Sequence, residues 1–353
     1  DHQRHECLER GEPLVGGREE LLEIVHHHRG GGRAQRGRND RVLVGHAQRT
    51  QRGFVGEGGV GVQEHEAVFA SACARHQAGR QRRVDHGEAA LDRGEPIIAA
   101  GAGTGISAKF IEKGGPDLII VYNSGRFRMA GHGSTAGLMA YGDANQVAMD
   151  IGEYEVLPVV EEIPVICGVH ATDPRRRMWH WLGQVKEMGF SGVNNFPTHT
   201  IVDGHFRGVL EETGMSVEKE FEMVGLATRM DMFSIVYVAT PEEAIKMAKN
   251  GADAIIAHVG TTVGGSIGVT NAVVSWDHTV KVTQDIIDAA KSVNPNVFTL
   301  THGGPINTPK DVEFILSKTS ADGFVGASSL ERMGVEDSLT SLTREFKRIP
   351  IGR

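Results

Sequence analysis

The chain's 353 residues exceed one ordinary domain and suit a barrel of about 250 residues with an extension. Its formal net charge of −8 argues against the basic face that polyanion binders present, so no nucleic-acid partner is expected. No apolar run approaches the roughly 20 residues of a membrane span and no signal-peptide pattern opens the chain, so no membrane partner is expected.

Residues 1–95 differ from the rest. Every Lys, Met, Trp and Tyr lies after Glu95, whereas the leading segment is dense in Arg, Gly, His and Glu, as in Arg29-Gly30-Gly31-Gly32-Arg33. Its short apolar stretches lack sustained periodicity, so 1–95 is expected to be a disordered extension or a gene-model artefact, the product of GC-rich DNA read in the wrong frame. His26-His27-His28 reads as a solvated run, and no function is assigned to the segment. Cys7, Cys73 and Cys167 are far apart and fit no metal spacing. That usage points to a reducing compartment, and the cytoplasm is expected.

From Pro96 the punctuation is regular. Strand one, Pro96–Ala100, ends in Gly101-Ala102-Gly103-Thr104-Gly105, and a helix through Ser107–Lys113 stops at Gly114-Gly115. Strand two, Asp117–Asn123, has an apolar centre suited to burial on both faces and opens a long loop from Asn123-Ser124-Gly125-Arg126 to Asn145. Strand three, Val165–Val169, precedes Asp173-Pro174, which reads as a helix cap with Pro at the first helical position. The helix after it repeats apolar groups at Trp179, Leu182 and Val185. Strand four is Gly192–Phe196, and Val217–Met230 supplies its helix. Strand five is Phe233–Val238, with a capping box expected in Thr240-Pro241-Glu242-Glu243. Strand six is Asp253–Val259 with a helix over Val280–Ala290; strand seven is Val297–Leu300. Thr308-Pro309-Lys310-Asp311 repeats the start signal, and strand eight is Gly323–Val325 before a last helix over Ser338–Phe346. Eight strand–helix units imply a closed (β/α)8 barrel, the TIM-barrel fold, over 96–353. An open doubly wound sheet is disfavoured, because Ile106 stands where a dinucleotide fingerprint needs its third Gly.

In such a barrel the strand C-termini face the active site, and the loops after strands seven and eight commonly hold a phosphate. Gly303 and Gly304 after strand seven, with Gly326, Ser328 and Ser329 after strand eight, are therefore candidates to bind an anion. Asn123, Ser124 and Arg126 end strand two, and Arg126 is the candidate carboxylate clamp, ahead of Arg128. His170, His258 and His302 end strands three, six and seven and are candidates for proton transfer. Asp173 is a further catalytic candidate with a competing role as a cap. Asp173, Asp143 or Glu331 can hold a cation, but no close acidic pair is evident, so the metal is left unassigned.

Several of these motifs together resemble one family: Tyr122-Asn123-Ser124-Gly125-Arg126, Tyr141-Gly142-Asp143-Ala144-Asn145, Asn195-Phe196-Pro197-Thr198, His302-Gly303-Gly304-Pro305 and Gly326-Ala327-Ser328-Ser329-Leu330-Glu331-Arg332. From Pro96 to about Ile349 the chain resembles the phosphoenolpyruvate hydrolase-like TIM barrels, also labelled phosphonopyruvate hydrolases. The resemblance implies a hydrolase or lyase acting on a small phosphorylated or phosphonylated carboxylate, with Mg²⁺ implied by the resemblance alone. Strand four offers Asn194 and Asn195 where the authentic enzymes of the mutase type carry a carboxylate. A barrel that keeps its fold and serves as a binding or regulatory module is the alternative. Self-association is left open.

Overall fold

A computed structural model describes residues 79–270 and 274–352. Among them eight parallel strands close into a barrel in chain order: β1 Ile97–Gly101, β2 Leu118–Val121, β3 Val165–Gly168, β4 Gly192–Asn194, β5 Phe233–Val238, β6 Ala254–His258, β7 Phe298–His302 and β8 Gly323–Gly326. Closure is made by β8 on β1, with Ile98 opposite Phe324 and Ala99 opposite Val325. The expected TIM barrel is the observed fold.

Strand parity divides the core into two layers. On β2, Leu118, Ile120 and Tyr122 pack in the barrel interior, whereas Ile119 and Val121 face the helices. On β5, Phe233, Ile235 and Tyr237 point inward and Val236 and Val238 outward. Since both layers are apolar, the strands read as nearly continuous hydrophobic runs. Cys167 on β3 belongs to the outer layer, fully buried, and burial pushes its thiol well up from the ordinary value.

A helix, α1 Arg80–Asp92, lies within the segment that composition assigns to the extension. Ala90 is buried, Val84 and Leu91 pack against the interior layer, and Gly87 sits so close to the Phe298 ring that an added Cβ would fall 2.8 Å from it. Arg80 Nε pairs with Asp253 Oδ1 at 2.6 Å, and His86 Nε2 lies 3.1 Å from Asp117 Oδ1. Phe298 and Ile97 open their strands, so α1 covers the N-terminal end of the barrel. Charge-rich helices with few apolar residues give a weak sequence signal, and residues 80–92, expected within the extension, form a helix packed on the barrel. The rest of the expected extension lies outside the described residues.

The other helices are α2 Gly105–Lys113, α3 Asn123–Met129, α4 Ala144–Ile151, α5 Met178–Met188, α6 Gly204–Glu212, α7 Glu218–Arg229, α8 Pro241–Lys249, α9 Trp276–Val293, α10 Pro309–Lys318 and α11 Arg332–Lys347. The stretch expected as a loop after β2 instead holds α3, a 3-10 turn at Ser134–Leu138, α4 and a π turn at Gly152–Val156. On α5, Leu182 and Val185 are buried as expected, but Trp179 is exposed and Trp181 takes its place on the buried face. The Thr308 capping box forms in full on α10. On α8 only half does: Thr240 Oγ1 accepts from Glu243 N, but Glu243 Oε2 accepts from Ala239 N rather than from the cap.

Candidate functional site

The last residues of β6 and β7 are register partners, His258 opposite His302. Parity sends both inward, and they meet Tyr122 and Tyr237 at the C-terminal mouth. Ring centroids are 5.1 Å apart for the two histidines, 5.3 Å for Tyr237 and His258, and 5.2 Å for Tyr237 and His302. Phe196 stacks on Tyr122 at 4.8 Å. The group lines a cavity of about 110 Å³ whose rim carries the hydroxyls of Ser124, Ser134, Thr135, Thr261, Thr262 and Ser328.

The two histidines differ in where the proton sits. His302 Nδ1 lies 2.7 Å from the carbonyl oxygen of Val325, which can only accept, so Nδ1 carries the hydrogen and Nε2 is a bare acceptor. His258 Nδ1 instead accepts from the Gly260 N–H at 3.3 Å, which leaves the hydrogen of its neutral ring on Nε2. Burial pushes His302 down to about 4 and His258 down to about 3, the neighbouring His302 adding to the latter. Both rings are neutral near pH 7. Burial also raises the hydroxyls of Tyr122 and Tyr237, which bond each other.

Two cations line the mouth, Arg128 and Arg332, the latter held by Glu336 at 2.7 Å and by Gly264 O at 3.0 Å. Arg128 is 2% exposed, and its Nε and Nη2 donate to Glu331 Oε2 at 2.8 and 2.6 Å. Glu331 Oε1 accepts from Gly103 N at 2.6 Å and from the Ser107 hydroxyl. Its carboxylate is thus committed to fixing Arg128 and the β1 loop. The glycines of that loop serve close packing: a Cβ on Gly103 would fall 2.3 Å from the Gly125 backbone.

The expected residues separate into two groups. Ser124, His258, His302 and Ser328 line the mouth, and Ser328 Oγ stands 3.3 Å from Ser134 Oγ. Arg126 does not line it: it pairs with Glu155 at 2.8 Å and is half-exposed. The reason is helical geometry. Residues 124 and 128 share one face of α3, and 126 points elsewhere. Asn123 turns away to donate to Gly137 O at 2.8 Å. Gly303 and Gly304 have positive φ and form a turn against the β6 loop, with Gly304 N bonded to Gly260 O at 3.0 Å. A Cβ on Gly326 would meet Leu330, and Ser329 is not in the mouth wall.

His170 and Asp173 stand apart from the mouth. His170 is half-buried near His199, 5.9 Å between rings, and burial pushes it down to about 4. Burial raises the Asp173 carboxyl, but hydrogen bonds from Arg175 and Asn145 outweigh it and bring it down to about 2. Asp173 Oδ1 accepts from Arg175 N and caps that turn, while α5 begins only at Met178. Glu220 anchors the β4 loop from behind, accepting from Asn195, Thr198 and His199 N; burial drives it up to about 7 against those bonds.

Sequence reading missed Tyr122, Tyr237 and the leading place of Arg128. Strand parity would have found the tyrosines, since Tyr237 shares its face with Phe233 and Ile235. The mouth is a poor fit for Mg²⁺. Such an ion favours carboxylates, and none lines the mouth; Glu331, behind Arg128, is spent on Arg128, Gly103 and Ser107. No group of three or more metal-ligating side chains occurs among the described residues.

The phosphoenolpyruvate hydrolase-like family model matches residues 84–349. Two tomato (Solanum lycopersicum) proteins are similar over 260 residues: ToMV susceptible protein tm-1(GCR26), 51% identical, and ToMV resistance protein Tm-1(GCR237), 50% identical. In each case the match covers 73% of this chain but 34% of the tomato protein, so the chain spans about a third of their length. A solved phosphonopyruvate hydrolase, in complex with oxalate and Mg²⁺, is 16% identical with a TM-score of 0.47, covering 75% of this chain and 87% of that one. At that level the likeness carries nothing about the site. Among the described residues no helix is long and apolar enough to cross a membrane. The family model runs from within α1 through β8 and into the residues after α11, and the chain belongs to the phosphoenolpyruvate hydrolase-like family.

Proposed function

We propose that the barrel mouth is an acid–base site for a small carboxylate bearing a phosphoryl or phosphonyl group, working in a hydrolase- or lyase-type reaction. The observation that supports this is the opposed proton placement of two neutral imidazoles in one small cavity. His302 Nε2 takes a proton as general base. His258 cannot shed its remaining proton near neutral pH, so its Nε2–H serves as a fixed hydrogen-bond donor to a substrate oxygen on which negative charge develops. Arg128, oriented by Glu331, faces the anion together with the Ser124, Ser134 and Ser328 hydroxyls.

The test is product release from phosphonopyruvate and phosphoenolpyruvate by the full chain and by His302→Gln. The expected result is turnover of at least one compound, with a loss of about 10²–10⁴-fold in the variant. No turnover of either, or an unchanged rate in His302→Gln, overturns the reading. A binding module is the second reading, favoured by relatives whose names speak of virus susceptibility and resistance rather than of a reaction. On that reading the same compounds raise the melting temperature without being consumed.

A further inference from the structure

In a (β/α)8 barrel a ring of helices covers the outward faces of the strands, and α11 is the helix that should close that ring. It hardly touches the barrel. Arg332, its first residue, is the only one it buries, and every position from Asp337 to Gly352 is exposed. Yet α11 carries an apolar stripe, Val335, Leu339, Leu342 and Phe346, spaced to share one helix face. A matching gap lies beside it. The outward residues Ile98 and Ala100 of β1 floor an apolar groove of about 790 Å³, walled by Ile106 and Phe110 of α2 and by Leu330 and Leu339. The groove walls and the stripe together leave on the order of 800 Å² of apolar side chain in water. The largest apolar patch on a typical monomer is roughly 300–600 Å². One partner in a stable interface contributes about 800 Å². The stripe is also symmetric about its own midpoint: Val335 mirrors Phe346, and Leu339 mirrors Leu342. Two copies of α11 laid antiparallel about a two-fold axis therefore set Leu339 of one against Leu342 of the other, twice over.

We propose that the occupant of this groove is a second copy of the chain: two α11 helices pair antiparallel, and each lies in the groove of the other. Removal of both stripes and both grooves from water drives the association. The pairing also steadies the mouth. Glu331, which holds Arg128, and Arg332, which lines the cavity, stand at the root of α11, whose later turns have no support within one copy. The association needs no reaction at the mouth and stands whether or not the acid–base reading does.

Sedimentation of the full chain at micromolar concentration should give a mass near twice 38.1 kDa. The test variants are Leu339→Glu and Leu342→Lys, made at side chains 60% and 52% exposed within one copy, so each should keep its fold by circular dichroism. Each alone should lower the association constant by on the order of a hundredfold or more, because the two-fold axis buries two unpaired charges. Mixed in equal amounts, the two variants should dimerise again. The new carboxylate of one then meets the new ammonium of the other, and the remaining Leu339 meets the remaining Leu342. Amide exchange along α11, its first turn included, should be slow in the dimer, fast in either variant alone and slow once more in the mixture. A single copy at micromolar concentration overturns the proposal and leaves the groove to some other segment or domain. A variant that stays dimeric, or a mixture that stays monomeric, overturns it as well.

Discussion

A base whose conjugate acid lies near pH 4 is weak in the free protein, and an anion bound beside it changes that. Negative charge stabilises the imidazolium, so the pKa of His302 rises on binding. The prediction is that kcat/KM, which reports the free protein, stays level down to about pH 5 and falls near pH 4. The acid limb of kcat, which reports the bound state, should lie at higher pH; coincident limbs would show that no anion sits against the ring. Arg128 gives a second test at this scale. Glu331→Gln strands a buried guanidinium and should cost about 3–5 kcal/mol in urea unfolding. Adding Arg128→Met should recover part of that loss. Arg126→Ala removes a half-exposed pair and should cost under about 1 kcal/mol with no change in ligand affinity. Which arginine reaches the mouth was not legible, because it depends on α3 starting at Asn123, where a loop was expected.

The turn at Gly303-Gly304 shows how an element can mimic a phosphate cradle in sequence and serve packing instead. Gly303 sits at φ 84°, and a Cβ there would fall 1.9 Å from Gly260 O. Gly303→Ala should therefore lower the melting temperature, whereas Ser328→Ala, which removes a hydroxyl from the mouth, should weaken anion binding by about 0.5–1.5 kcal/mol and leave stability nearly unchanged. Unaltered affinity in Ser328→Ala would remove that hydroxyl from the site. Helix α1 is tested by starting the chain at Pro96 instead of Gly79. The shorter protein loses the partner of buried Asp253 and the contacts on Phe298, and its urea midpoint should fall well below that of the longer one. Strand positions were legible because each carries an unbroken apolar run between turn signals. Helix α6 was not, since Gly204–Glu212 buries Leu210 alone and has no helical stripe to read.

For the whole molecule, buried titrating groups pull stability in opposite directions with pH. Folded Glu220 keeps its proton to about pH 7, while an unfolded Glu loses it near 4.5; between those values folding binds a proton, and stability falls as pH rises. His258, His170 and His302 stay neutral when folded down to about 3, 4 and 4 but protonate below 6.5 when unfolded, so stability falls as pH drops through that window. Three protons outweigh one, and the urea midpoint should climb from pH 4.5 to 6.5, then level off toward pH 7. Glu220→Gln should steepen the climb by about 1.4 kcal/mol per pH unit. The eightfold repeat made the barrel readable from sequence, and the two histidines of the mouth with it. Cys167 supplies a clock for all of this. Its thiol is sealed in the outer layer, so an alkylating reagent reaches it only when the barrel opens. Any compound that favours the closed barrel must slow that labelling by the factor 1 + [L]/Kd. Mass spectrometry of the Cys167 peptide would then rank ligands for the mouth without any assumption about the reaction that takes place there.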